Sequence, residues 1–245
     1  MRLVQLTIYR GIGLETCVLF AREGANVLMV DISGPALEKG KVKLLGLVPH
    51  AIVDTIICDV SKESDVVAAV ERLDSWGGVD IMFNNAGIMH ADDADAINTP
   101  ENIWDLTMAI NVKGVWFGSK HAVQSMRRHG KKKGSIINTA SVVALVGSAT
   151  PQLAYTASKG AVLAMTRELA IVHAKEGFRF NALCPAPLKL VVLMSVFRTT
   201  LTNTSALLSC RTGLETIKQK DSGARYIFPL DVLVRLSSRL MQLSF

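Results

Sequence analysis

The sequence predicts an α/β fold: a single domain built on an open, doubly wound parallel sheet. Three observations carry that prediction. Short apolar runs rich in β-branched residues alternate with longer runs of helical period. Near the N-terminus a strand-like run, a Gly-x-Gly turn, a helical run, a second strand and an acid follow one another. Further on, Asn84-Asn85-Ala86-Gly87 closes another apolar run. Small and amide residues at a strand's C-terminal end suit the edge where such sheets gather ligands. With 245 residues, 49% hydrophobic and 20% charged, the chain can bury one sizeable core and is too apolar for disorder.

The elements follow in order. Leu3 to Ile8 reads as a short strand, and Gly11-Ile12-Gly13 opens a helix over Leu14 to Glu23, with apolar Leu14, Val18, Leu19 and Ala21. Gly24 ends it, and Asn26 to Val30 is a buried strand closed by Asp31. Glycines let a backbone approach a pyrophosphate, and the following helix N-terminus offers amide donors and a positive dipole end. An acid at Asp31 can accept from both hydroxyls of an adenosine ribose and repels a 2′-phosphate. It therefore favours NAD, while Arg10 softens that preference and leaves NADP possible. Taken alone, a Gly-x-Gly is better read as an ordinary turn.

A helical stretch with Leu37, Val42 and Leu45 leads to a strand over Ala51 to Cys58, ended by Asp59-Val60. Ser61 is expected to cap a helix running to Asp74. Val79 to Phe83 is the next strand, and Thr99-Pro100-Glu101 starts a long helix through Trp104, Leu106, Met108, Ile110, Val112 and Phe117. Asn111 lies inside that helix at a small cost in propensity, so it is either exposed or recruited for hydrogen bonding.

Ser135 to Thr139 reads as a strand, and Ala154 to Ala174 as a helix. Between and within them stand Ser141, Tyr155 and Lys159. Tyr155 and Lys159 are spaced i and i+4, so a helix presents both on one face. A tyrosine ordinarily titrates near ~10, and an adjacent ammonium favours its phenolate. Such a phenol becomes a usable general acid/base, with the Ser141 hydroxyl able to hold a carbonyl or alcohol oxygen opposite it. By itself, Tyr-x-x-x-Lys is more often an exposed helix face with a snorkelling lysine.

The net charge is +6, with basic residues gathered at Arg127-Arg128-His129 and Lys131-Lys132-Lys133. No aromatic residue interleaves them, which points to a solvated turn between Gly130 and Gly134 rather than to a nucleic-acid surface. The four cysteines are scattered without metal-like or redox-like pairing, and three read as small core residues. No run of about eighteen apolar residues occurs, and the N-terminus does not read as a signal peptide. The expectation is a cytoplasmic protein that binds neither membrane nor nucleic acid.

Gly11-Ile12-Gly13, Asp31, Asp59-Val60, Asn84-Asn85-Ala86-Gly87, Asn111, Ser141, Tyr155, Lys159 and Pro185 are each modest signals. In this order and spacing they resemble the short-chain dehydrogenase/reductase (SDR) family, over roughly three quarters of the chain, to Pro187. The resemblance implies a Rossmann-type sheet and hydride transfer between a nicotinamide dinucleotide and a carbonyl or secondary alcohol. Tyr155 would be the acid/base, and Lys159 would lower its pKa and bind the nicotinamide ribose. Ser141 would position the substrate oxygen, and Asn111 would hold a proton-relaying water. Asn85, Ala86 and Gly87 would line the adenosine side, Asp59 and Val60 would flank the adenine, and Pro185 would lie near the nicotinamide. No metal is implied. A homodimer or homotetramer is, built on the helices carrying Asn111 and Tyr155.

The chain departs from the family pattern in two places. Thr7 stands where the first turn usually has a glycine. Its branched side chain resists positive φ and adds bulk beside the phosphates, so weakened cofactor binding is expected. After Pro185, Ala186 replaces a glycine, and Leu190 stands where a threonine usually contacts the carboxamide. The expected division is therefore 1–190 as the dinucleotide-binding and catalytic domain, and 191–245 as a divergent tail that is not a separate domain. The tail reads as either an altered reading of the gene or a divergent substrate lid, with the last strand missing or replaced. An apolar stretch over 191–201 hints at a lipophilic substrate. The alternative reading of the whole is a catalytically impaired dinucleotide sensor, a pseudoenzyme.

Overall fold

The computed structural model describes residues 2–6, 11–186, 217–218 and 225–226. They fall into two units, one within Met1–Ala186 and one within Pro187–Phe245. In the second unit, β7 (Ile217–Lys218) and β8 (Arg225–Tyr226) form an antiparallel pair. Thr7, Arg10, Leu190 and nearly all of the tail lie outside the described residues, and so do the expectations placed on them.

The first unit is a six-stranded parallel sheet in the order β3-β2-β1-β4-β5-β6. Its strands are β1 (Arg2–Leu6), β2 (Asn26–Asp31), β3 (Val53–Ile57), β4 (Ile81–Asn84), β5 (Gly134–Thr139) and β6 (Phe178–Leu183). Successive side chains alternate between faces, and that alternation assigns the layers. Val27, Met29, Ile81 and Phe83 pack on α1 (Ile12–Arg22) and α2 (Gly34–Leu47), through Leu14, Cys17, Val18, Ala21, Leu37 and Leu44. Leu28, Val30, Met82, Ile136 and Phe180 pack on α3 (Glu63–Glu71) and α5 (Gly114–Arg128), through Val66, Val70, Phe117, Val123 and Met126. Burying a side chain such as Leu28 or Met82 completely contributes roughly 1.5–3 kcal/mol. Both faces are covered, which explains why β2 and β4 read as unbroken apolar runs.

Local boundaries depart from the sequence reading for identifiable reasons. In α2 it is Leu44 that is fully buried, whereas Val42 is 70% exposed. The helix starts at Gly34 behind a Ser33 cap and buries Ala36, Leu37, Gly40 and Leu44, which leaves Val42 on the opposite face. Ser61 is not a helix cap: its backbone N–H and hydroxyl both donate to Asp59, at 3.0 and 2.7 Å, and α3 begins only at Glu63. α3 stops at Glu71, short of Asp74, which instead opens a short 3₁₀ turn, Asp74–Trp76. The long helix from Glu101 is broken in the middle. α4 (Glu101–Met108) passes through one π-helical turn, Ala109–Lys113, before α5 resumes. A four-residue helix, α6 (Val143–Val146), follows Ser141, and α7 spans Leu153–Val172.

The basic cluster after α5 is largely paired. Arg127 makes a bidentate bridge to Glu176 at 2.7 and 2.8 Å, and Arg128 Nη2 donates to both Asp74 oxygens at 2.9 and 3.0 Å. Lys131 binds Asp80 at 2.6 Å. These pairs fasten the end of α5 to the turns before β4 and β6, so most of the cluster's charge is neutralised locally. Among the described residues, no helix is long and apolar enough to cross a membrane.

Candidate active site

The strand order reverses between β1 and β4, which opens a crevice at the C-terminal ends of the strands. Residues from both halves of the sheet arrive there. On the first half, Gly11 caps α1 with φ 71° and ψ −137°, a conformation only glycine adopts without strain. Gly13 is buried in the first turn of that helix. Asp31 ends β2, 4% exposed, and its Oδ1 accepts the Ser33 N–H at 2.9 Å. Asp59 follows β3, its carboxylate held by Ser61, and Val60 is buried against Gly114 at the start of α5. A glycine turn at a helix N-terminus, with an acid at the next strand end, fits the phosphates and ribose of a dinucleotide.

On the second half, the Asn84-Asn85-Ala86-Gly87 run divides by role. Asn84 is buried and donates to Asn138 Oδ1 at 2.8 Å and Ser119 Oγ at 3.3 Å, tying β4 to β5 and α5. Asn138 in turn donates to Thr166 of α7 at 2.9 Å. Asn85 is half-buried and accepts the Thr139 hydroxyl at 3.2 Å. Ala86 is buried and Gly87 is exposed. A Cβ on Gly87 would stand 3.1 Å from Lys159 Nζ and 3.2 Å from Asn111 Oδ1, so the absence of a side chain is what lets the backbone lie against them.

Tyr155 and Lys159 share one face of α7. Lys159 Nζ lies 5.7 Å from the centre of the Tyr155 ring and donates to the Thr139 carbonyl at 2.8 Å. Lys159 is 3% exposed, and burial pushes its ammonium down to about 8, opposed by nearby Cys184. Tyr155 itself is half-buried. Ser141 is 6% exposed at the end of β5, and its hydroxyl accepts the Val143 N–H at 3.4 Å. Pro185 sits beside it, its carbonyl taking the Val142 N–H at 3.1 Å.

Asn111 occupies the π turn, fully buried. Such turns displace one residue out of helical register and are frequent at functional sites. Here the displaced amide grips the chain after Gly87: its Oδ1 accepts the Ile88 N–H at 2.8 Å, and its Nδ2 donates to the Ile88 carbonyl and to Ser158 Oγ, both at 2.9 Å. Ser158 then donates to the Tyr155 carbonyl at 2.7 Å. Asn111 thus reaches Tyr155 through one serine.

Four contributors were not foreseen. Thr139 acts through a backbone oxygen, which no side-chain pattern signals. Ser158 stands three residues after Tyr155 on the same helical face, and that spacing could have revealed it. Asp93, in the acidic run Ala91-Asp92-Asp93-Ala94-Asp95, has the look of a solvated loop but is 7% exposed. Cys184 is half-buried against the cluster of Val115, Ala140 and Val162, near Lys159 and Ser141. Burial raises its thiol, against the Ser141 N–H and the Lys159 ammonium. Cys17 and Cys58 are core residues as expected, with burial pushing Cys58 up to about 12.

Comparison with known proteins places these features in a family. The family model described as Enoyl-(Acyl carrier protein) reductase matches residues 8–207, continuing past Pro187, where the motif resemblance ends. The chain is 36% identical over 176 residues to "Levodione reductase" of Leifsonia aquatica, covering 71% of this chain and 64% of that protein. It is 37% identical over 181 residues to "2-(R)-hydroxypropyl-CoM dehydrogenase" of Xanthobacter autotrophicus, covering 71% and 69%. Among solved structures it resembles a 3-ketoacyl-(acyl-carrier-protein) reductase from Brucella melitensis complexed with NADH, with a TM-score of 0.69 and 31% identity, over 75% of this chain and 74% of that one. The chain therefore spans about two thirds of the length of these curated relatives. With its reversed-order parallel sheet and its motifs in register, the chain belongs to the short-chain dehydrogenase/reductase family.

Proposed function

We propose that the protein is an oxidoreductase that moves a hydride between a nicotinamide dinucleotide and a carbonyl or secondary alcohol, with Tyr155 as the acid/base. The observation that carries this is the buried Lys159 ammonium beside the Tyr155 ring, held there by the Thr139 carbonyl. The nicotinamide, when bound, supplies or accepts the hydride at C4. The remaining work falls to the chain. Ser141 holds the substrate oxygen, and Tyr155 gives that oxygen a proton in reduction or takes one in oxidation. Lys159 stabilises the phenolate left behind, and its low-dielectric setting strengthens that interaction. Asn111, bonded to Ile88 and Ser158, grips the surrounding backbone and would hold the proton-relaying water.

Gly11, Ile12 and Gly13 would receive the pyrophosphate, with Arg10 beside them. Asp31 would take the adenosine ribose, which favours NAD, with NADP possible. Asp59, Val60, Asn85, Ala86 and Gly87 would line the adenosine side, and Pro185 the nicotinamide. Substrates would be small carbonyl or alcohol compounds, handled by a cytoplasmic homodimer or homotetramer. The names of the relatives, Levodione reductase and 2-(R)-hydroxypropyl-CoM dehydrogenase, one a reductase and one a dehydrogenase, support both directions of this chemistry.

The test is the nicotinamide absorbance band followed with a panel of ketones and secondary alcohols. Tyr155→Phe is expected to lower kcat by roughly 10²–10⁴-fold while fluorescence titration with NADH still shows binding. Binding without turnover in the parent protein would reject this reading in favour of a dinucleotide sensor.

A further inference from the structure

We propose that Asp93 is a positioning residue for Tyr155: its buried carboxylate fixes the first turn of α7 and thereby the placement of the phenol. The inference rests on the role proposed above for Tyr155. The first N–H groups of any helix lack partners within it. In α7 the residue before the helix, Gln152, makes no side-chain cap. Instead, the dipeptide Asp93-Ala94 takes three N–H groups in a row. Leu153 donates to the Ala94 carbonyl at 2.9 Å, Ala154 to Asp93 Oδ1 at 2.9 Å, and Tyr155 to Asp93 Oδ2 at 2.8 Å. Thr156 then makes the first bond within the helix, to Gln152 at 3.0 Å.

This is more than a local cap. The carboxylate is 7% exposed and comes from a segment 61 positions earlier. Thr99 braces this segment: its hydroxyl donates to the Asp95 carbonyl at 2.8 Å, accepts the Ala94 N–H at 3.0 Å and lies 3.4 Å from Asp93 Oδ1. One of the two oxygens ends on the N–H of Tyr155 itself. The Tyr155 carbonyl is held by Ser158, and Ser158 by Asn111. Both ends of the tyrosine's peptide unit are therefore fixed by groups outside its own helical ladder. The loop that supplies Asp93 begins at Gly87, against Lys159. A phenol that must meet a substrate oxygen loses rate steeply when displaced by even ~1 Å.

The experiment uses full-length Asp93→Ala and the milder Asp93→Asn, which keeps one acceptor oxygen. Three readouts are compared: NADH affinity by fluorescence, kcat and KM on a turned-over substrate, and amide exchange along α7. In Asp93→Ala, kcat should fall by about 10–100-fold, with KM and NADH affinity changing far less. Exchange should accelerate at Leu153–Tyr155 but not in β4 or β5, and Asp93→Asn should recover part of the rate. An Asp93→Ala protein turning over within about twofold of the parent would overturn the inference. So would a rate loss matched by equal losses in NADH affinity and in overall protection, because that is the mark of a merely structural role. If the parent shows no turnover at all, the Tyr155 role fails separately. The exchange data then decide whether Asp93 holds the turn, and unchanged protection at Leu153–Tyr155 would reject it.

Discussion

Lys159, the proposed partner of Tyr155, shows what burying an ammonium costs a fold. Its folded value of about 8 lies below the ordinary 10.5 because burial disfavours the ammonium. Between those values the unfolded chain keeps a proton that the folded chain has released, so stability rises with pH across that window. Below about 8 the full penalty is present, on the order of 3 kcal/mol. Lys159→Met removes the charge but leaves the Thr139 carbonyl without its donor, returning about 1–2 kcal/mol of that gain. The expected outcome at neutral pH without dinucleotide is a melting temperature higher by a few degrees, together with lost turnover. A calorimetric scan checks the first and the absorbance assay the second. A lower melting temperature would mean that the Thr139 bond outweighs desolvation.

Among elements, the α4–π–α5 segment decides the most. Asn111 was legible as a candidate because an amide in a helix interior needs a reason. The π turn was not legible, since Ala109-Ile110-Asn111-Val112-Lys113 suits an α-helix equally well and only packing against Ile88 and Ser158 selects the wider turn. Asn111→Ala would leave the half-buried Ile88 N–H and carbonyl and the buried Ser158 hydroxyl short of partners. A loss of about 2–4 kcal/mol is expected, read as a lower urea midpoint. The same contrast runs through the rest of the site. Gly11, Asp31 and the Tyr155–Lys159 pair could be read because their logic lies within one turn or one strand end. Asp93 and the Thr139 carbonyl could not, because their roles exist only once distant segments meet. Val42 and Ser61 misled for the opposite reason: a plausible local pattern was overruled by how α2 sits on the sheet and by the Asp59 carboxylate.

At the scale of the molecule, the +6 charge proves a poor guide to partners, because the densest basic cluster is spent on Glu176, Asp74 and Asp80. Glu176 is held down to about 2 by Arg127 and then His173. Its contribution to stability is therefore present above the ordinary carboxyl value of 4.5 and fades as pH falls from there towards 2. Because the pair is largely exposed, about 1 kcal/mol or less is at stake. Glu176→Gln should flatten the acid limb of a stability-versus-pH curve while leaving it nearly unchanged in high salt, and an unaltered acid limb would show that the bridge contributes nothing. The polar links at the crevice also have a distribution of their own. Asn84–Asn138–Thr166, Asn111–Ser158 and Asp93–Tyr155 all join parts of the chain from β4 onward, whereas Gly11 and Asp31 belong to the first βαβ unit. On the roles proposed above, the chemistry divides the same way: substitutions around Asp31 and the exposed Ile32 would change the choice between dinucleotides without retuning proton transfer, so evolution or an engineer could change one half while inheriting the other intact.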